Sequence, residues 1–203
     1  MATGVATQAA LEAIVLAAGF GARFGGGKLT APWRDGLLLD GALAAAFAAP
    51  VRTVTVVWGA DADVPDAAKA FAERIGEGSR LKLVKAERHA EGLSASLKAG
   101  IASVPSDAGG VFVFLGDMPR IPFSVLAPLA EAVIGGAPAA ATAFEGDRGH
   151  PVLFGRELLP RLSELEGDRG AGGILAKLGD RLSLIPAPDD GVLYDVDRPT
   201  DLA

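Results

Sequence analysis

The apolar run Ala13-Ile14-Val15-Leu16 ends at a glycine-rich stretch, and an unbroken run of that length predicts a strand buried on both faces. Residues 51–58, 81–84, 111–115, 139–144 and 182–185 are further strand-like runs. Between them, residues 38–48, 65–75, 92–103 and 122–134 carry helical composition or helix-start signals. Strands that alternate with helices predict a mainly parallel sheet covered on both sides, a three-layer α/β/α, Rossmann-like fold. Beyond residue 144 the rhythm weakens. Residues 145–151 read as a loop, and residues 157–165 and 170–178 as short helices.

With 203 residues, half of them hydrophobic, the chain can bury a full core as one domain over residues 1–203, the first ten expected to fray. A net charge of −6 argues against a sequence-independent grip on nucleic acid, which needs clustered Lys and Arg, but leaves room for a small anion in one basic pocket. No cysteine is present, so disulfides, thiolate chemistry and Cys-based metal sites are excluded; two histidines make a structural zinc site a poor fit. The N-terminus lacks a basic, then apolar, leader, with Glu12 falling where the apolar part would run. The most apolar region, residues 37–51, contains Asp40 and Pro50 and is too short to span a bilayer. A cytoplasmic protein without membrane or nucleic-acid partners is expected.

In open α/β sheets ligands bind beyond the carboxyl ends of the strands. Three loops there carry unusual residues: 17–29, 91–96 and 116–119. The first holds five glycines with Arg23 and Lys28. Glycines let backbone N–H groups turn toward an anion, and the two cations supply the charge a triphosphate needs. A dinucleotide fingerprint on Gly19 and Gly21 fails at Phe24, and a P-loop ending at Lys28 fails at Ala22 and Leu29. A plain surface loop is the alternative; its placement directly after a buried strand favours the anion site.

Leu16-Ala-Ala-Gly19, Arg23-Phe24-Gly25, Lys28-Leu29 and Pro32 resemble the signature loop of sugar-phosphate and cofactor nucleotidyltransferases, above all the MobA/MocA-like group that includes molybdenum cofactor cytidylyltransferases. The similarity continues in order through Gly92-Leu-Ser-Ala-Ser-Leu-Lys-Ala-Gly100, Gly116-Asp-Met-Pro119, Gly149-His-Pro-Val152, Gly167-Asp-Arg-Gly-Ala171 and Asp195-Val-Asp-Arg-Pro-Thr-Asp-Leu202. The resemblance implies the nucleotide-diphospho-sugar transferase type of fold. It also implies a nucleotide site built from Leu16, Ala17, Ala18, Gly19, Gly21, Arg23, Lys28 and Ser96, with Arg23, Lys28 and Asp117 carrying the chemistry.

Asp117 follows the apolar residues of a predicted strand, a natural place for a Mg²⁺ ligand, since Mg²⁺ takes one or two carboxylates plus phosphate oxygens and water. Capping of the next helix is the alternative. Asp195 and Asp197 flank Val196 and alternate onto one face of an extended segment, so either could complete the site or merely cap the last helix. By resemblance, Asp197 is the second metal ligand.

Ser94 and Ser96 open the helix after Gly92; Ser96 aligns with a serine near the nucleotide base, and Ser94 reads as the cap. The resemblance places His150, Asp168 and Arg169 on the acceptor side and gives His89 no role. Two positions depart from the family pattern: Gly172 stands where relatives carry arginine, and Leu37 where they carry proline. Ala18 resembles the cytidylyl members, because guanylyl members have glycine there. The reading is CMP transfer from CTP to molybdopterin, with Mg²⁺ as cofactor and a molybdenum enzyme as possible recipient of the product. Alternatives are guanylyl transfer, another small phosphorylated acceptor, or a silent nucleotide-binding chaperone. A dinucleotide-dependent oxidoreductase would want an acidic residue where Trp58-Gly59 stands.

Overall fold

The computed structural model describes residues 10–19, 21, 24–167 and 170–202. In chain order the elements are β1 (Leu11–Ala17), the short pair β2 (Pro32–Trp33) and β3 (Gly36–Leu37), α1 (Leu38–Ala48), β4 (Val54–Trp58), α2 (Val64–Arg74), β5 (Leu81–Lys85) and α3 (Leu93–Ala102). They continue with β6 (Gly110–Leu115), α4 (Leu126–Ile134), β7 (Ala139–Phe144), β8 (Asp147–Gly155), α5 (Leu159–Ser163), α6 (Gly172–Ala176) and β9 (Leu182–Pro186). Seven strands form one sheet in the order β5-β4-β1-β6-β8-β7-β9, and every neighbouring pair is parallel except the two that involve β8.

Alternation along β1 divides the core into two layers. Leu11, Ala13, Val15 and Ala17 pack with α1, α2 and α4, while Ile14, Leu16 and Ala18 face α3, α5 and α6. This is the three-layer α/β/α arrangement expected from the apolar runs. Among the described residues no helix is long and apolar enough to cross a membrane.

Two expectations need correction. Residues 145–151 are mostly strand: β8 begins at Asp147, and only Glu145 and Gly146, both at positive φ (49° and 94°), turn the chain in a tight hairpin. Pro151 hid this strand, since a proline inside a run argues against a central strand. It is tolerated because the β6 pairing stops at Val152 and the β7 ladder is irregular between Ala141 and Ala143, opposite this stretch. The second correction concerns residues 122–134, where Phe123–Val125 form a 3₁₀ turn and the α-helix starts only at Leu126.

At the end of the sheet that carries the N-terminus of β1, the buried Glu12 carboxylate accepts hydrogen bonds from Arg52 (2.6 Å) and from the N–H and hydroxyl of Thr53 (3.1 and 2.6 Å). Arg52 also makes a two-pronged contact with Asp107, so the cluster ties the start of β1 to two connecting loops.

Candidate active site

β1 connects onward to β4 on one side of itself, while β6 lies on the other, so the crevice beyond their carboxyl ends is the topological switch point of the parallel half. The glycine-rich loop leaves β1 there. Gly21, Gly25, Gly26 and Gly27 all adopt positive φ, and the N–H groups of Phe24 and Gly25 donate to the Gly21 carbonyl (2.8 and 3.1 Å). A Cβ at Gly21 would lie 3.1 Å from the Lys28 Cβ, so the glycine lets the lysine stem pass close to the loop. Arg23, the other predicted cation, lies outside the described residues.

Lys28 points its ammonium at the carboxylates. Its Nζ donates to Asp117 Oδ2 (2.6 Å) and to the Val196 carbonyl (2.9 Å), stands 4.0 Å from Asp197 Oδ1, and leaves the side chain only 13% exposed. Asp117 reaches this position because Gly116 runs hard against β1: its N–H donates to the Leu16 carbonyl (2.9 Å), and a Cβ would come within 3.1 Å of that same oxygen. On the far side, Pro119 rests on Gly41 of α1, where a Cβ would stand 2.6 Å from the Pro119 Cα.

The carbonyl of Asp117 accepts from the Val196 N–H (3.0 Å), which joins the two acidic segments directly. Val196 is fully buried, so Asp195 and Asp197 are held on either side of an anchored residue. Both lie near Asp117. Burial raises the Asp195 carboxyl above its ordinary range, and the charges of Asp117 and Asp197 push it the same way. The final 3₁₀ turn, Pro199–Leu202, is capped by Asp201, whose carboxylate accepts from the N–H groups of Asp197 (3.0 Å) and Arg198 (2.8 Å). Those two bonds hold the Asp201 carboxyl below the usual range.

Beside this cluster lies a cleft of ≈ 540 Å³ lined by Leu16, Ala18, Gly19, His89, Leu93, Ser96 and Asp117, among others. Ala17 is buried on the opposite face of the strand, in the α1 layer. His89 is a wall of the cleft that sequence reasoning left without a role: its ring packs over Gly59, where a Cβ would lie 2.7 Å from His89 Cγ and 3.0 Å from Ala18 Cβ. Ser94 and Ser96 part company, as positions two apart on a helix must. Ser96 faces the cleft, while Ser94 lines a separate cavity with Arg88 and Lys98. Nor does Ser94 cap the helix; the N-cap position is Gly92, at φ 110°, with no side-chain cap bond.

A smaller cavity of ≈ 170 Å³ continues from the cleft, sharing Leu16, Leu93 and Leu115, and is lined by Arg148, His150 and Gly172. His150 Nδ1 is buried there without a hydrogen-bond partner among the described residues. Burial lowers the His150 pKa, partly offset by the Val113 backbone and the Asp117 charge, so the ring is neutral near pH 7. Arg148, which sequence reasoning passed over, brings its Nη2 within 3.6 Å of where a Cβ on Gly172 would stand. The only signal for it was the neighbouring Gly172, whose missing side chain leaves space for a guanidinium. Asp168 and Arg169 lie outside the described residues.

A family model described as MobA-like NTP transferase domain matches residues 13–182. The chain is 25% identical over 196 residues to the molybdenum cofactor cytidylyltransferase of Escherichia coli (strain K12), covering 96% of this chain and 94% of that one. The crystal structure of Rv0371c from Mycobacterium tuberculosis H37Rv superposes with a TM-score of 0.76 at 25% identity over 96% of each chain. The manganese complex of that protein gives 0.67 at 23% over 89% of each, and a nucleotidyl transferase from Methanothermobacter gives 0.73 at 22% over 95% and 94%. With a family match running from the first strand to the start of the last, this chain belongs to the MobA-like NTP transferase domain family and is by that membership a nucleotidyltransferase.

Proposed function

We propose that the chain transfers CMP from CTP to molybdopterin and releases pyrophosphate. One juxtaposition carries this reading: Lys28, Asp117 and Asp197 meet at the switch-point crevice, and the cleft lined by Leu16, Ala18 and Ser96 opens beside them. Backbone N–H groups around Gly19 and Gly21, with Arg23 and Lys28, bind the triphosphate. Ser96 and Ala18 border the base.

The acidic residues suit a hard divalent cation. Two carboxylates already flank a positive charge, the Lys28 ammonium, and phosphate oxygens with water would supply the remaining ligands. Mg²⁺ held by Asp117 and Asp197 would neutralise charge building on the phosphate oxygens. The protein's own part is positioning. An oxygen of the acceptor's phosphate forms a bond to the α-phosphorus in line with the bond to the bridging oxygen of the β-phosphate; that bond breaks, and its electron pair leaves with pyrophosphate. On the acceptor side, neutral His150 offers a buried hydrogen-bonding nitrogen and Arg148 a cation, and Asp168 and Arg169 are the further residues assigned to the acceptor.

The Ala18 methyl in the cleft and the similarity to the Escherichia coli cytidylyltransferase support CTP and molybdopterin. A screen of the four NTPs against molybdopterin and simple sugar phosphates, read as pyrophosphate release, tests the assignment. Turnover only with CTP and molybdopterin is expected. Turnover with GTP alone, or with a sugar phosphate alone, would replace the specificity, and no turnover with any pair would refute the transfer itself.

A further inference from the structure

We propose that Lys28 is a built-in competitor for the metal: its ammonium occupies the Asp117–Asp197 site in the free protein, and a divalent cation entering there releases it to the triphosphate. This rests on the reading of Asp117 and Asp197 as metal ligands.

The geometry is that of a cation in a carboxylate site. Nζ lies 2.6 Å from Asp117 Oδ2, 2.9 Å from the Val196 carbonyl oxygen and 4.0 Å from Asp197 Oδ1. These three oxygens come from the two segments that the Val196–Asp117 backbone bond ties together, so the ammonium sits in a fixed frame. The Lys28 ammonium is set against the carboxylates of both Asp117 and Asp197, and a dication, with twice the charge, is drawn to such a pair more strongly. Two cations within about 4 Å of one another repel strongly in a part-buried site, so metal entry and lysine departure are a single event.

The lysine is built to leave. Its four-carbon stem is flexible and its charge is compact. It is also attached to the phosphate loop, directly after Gly25, Gly26 and Gly27, so an ammonium expelled from the carboxylates emerges among the N–H groups proposed to hold the triphosphate. Metal and nucleotide therefore assist each other through one side chain: the metal frees the lysine, and the nucleotide gives the freed lysine a partner. Such coupling is reciprocal by thermodynamic necessity. Removing the lysine should then produce an effect that a simple phosphate ligand would not, namely tighter metal binding by the free protein.

The test is Mn²⁺ binding to the full chain, followed through the electron paramagnetic resonance signal of free Mn²⁺, with and without a non-hydrolysable CTP analogue. Lys28→Met should bind Mn²⁺ alone roughly tenfold more tightly than the unmodified protein, within the usual range for coupled sites, and the analogue should enhance that binding less than it does in the unmodified protein. Equal or weaker binding by Lys28→Met overturns the proposal. Should loss of the Lys28 charge beside the carboxylates prevent that variant from folding, amine labelling of the unmodified protein read by mass spectrometry decides: Mn²⁺ should speed modification of Lys28 relative to exposed Lys69, and an unchanged or slower rate overturns the proposal. Asp117→Asn separates the two levels. Mn²⁺ bound as well by Asp117→Asn removes the metal assignment together with this inference, whereas binding that needs Asp117 but ignores Lys28 removes this inference alone.

Discussion

Gly41→Ala sets two effects of opposite sign against each other. In the interior of α1 the substitution should strengthen the helix by about 0.5–1 kcal/mol, because alanine loses less backbone freedom than glycine on folding. Yet the new methyl would stand 2.6 Å from the Cα and 2.8 Å from the carbonyl carbon of Pro119, and both are backbone atoms that no rotamer change can move. Restoring ordinary contact displaces the loop by roughly 1 Å, an overpacking cost of about 1–3 kcal/mol. That loop is pinned at its other side through the Asp117 carbonyl and Val196, so the displacement falls on Asp117. A misplacement of about 1 Å at a reacting centre costs on the order of 10²-fold in rate. Pyrophosphate release should accordingly fall by about two orders of magnitude while Tm drops by only a few degrees. A Gly41→Ala protein with a raised Tm and normal turnover would show that helix propensity alone governs the position, and the argument for the clasped loop would be refuted.

Three further outcomes are expected. Ala18→Gly should move preference from CTP toward GTP by about 1–3 kcal/mol, measured as the ratio of the two kcat/KM values; no shift would dissociate the methyl from base choice. Glu12→Ala should lower stability in urea melts by about 1–3 kcal/mol, because the half-buried Thr53 N–H and hydroxyl lose their acceptor, with kcat unchanged since this cluster lies at the opposite end of the sheet from the site. His150 resists protonation when folded, so the native state binds fewer protons than the unfolded chain below the ordinary pKa of 6.5; stability should decline as pH falls through and below that value, and His150→Gln should flatten this part of the Tm profile.

The elements that the sequence disclosed are those whose apolar residues run without interruption. Residues 13–16, 111–115 and 139–144 lie in β1, β6 and β7 because nothing in them opposes a buried strand. β8 stayed hidden since Arg148, His150 and Pro151 break the pattern at one end; the exposed and half-buried half of a strand carries no apolar signature. Asp117 was readable as the residue after a buried run. The direction of Lys28 was not: a lysine in a glycine loop suggests phosphate, and only the fold shows that Val196 and Asp197, more than 160 positions away, come within its reach. The contacts that Gly41 and Gly59 permit were equally unreadable, because each depends on a backbone or side chain from a distant segment.

The reversed strand β8 divides the molecule's labour. On the proposed function, β5, β4, β1 and β6 would supply the donor half, and the β7–β8 hairpin, opening at the same rim because β8 runs against its neighbours, would bring Arg148 and His150 to the other half. The seam between them is a single antiparallel ladder that ends at Val113 and Val152. The tip, Glu145 and Gly146, stands in solvent and can lengthen without disturbing a core layer. On that reading a change of acceptor could be grafted by exchanging one hairpin, with the nucleotide loop left as it is, and the scaffold would serve as a holder for one activated group to which interchangeable recipients are fitted.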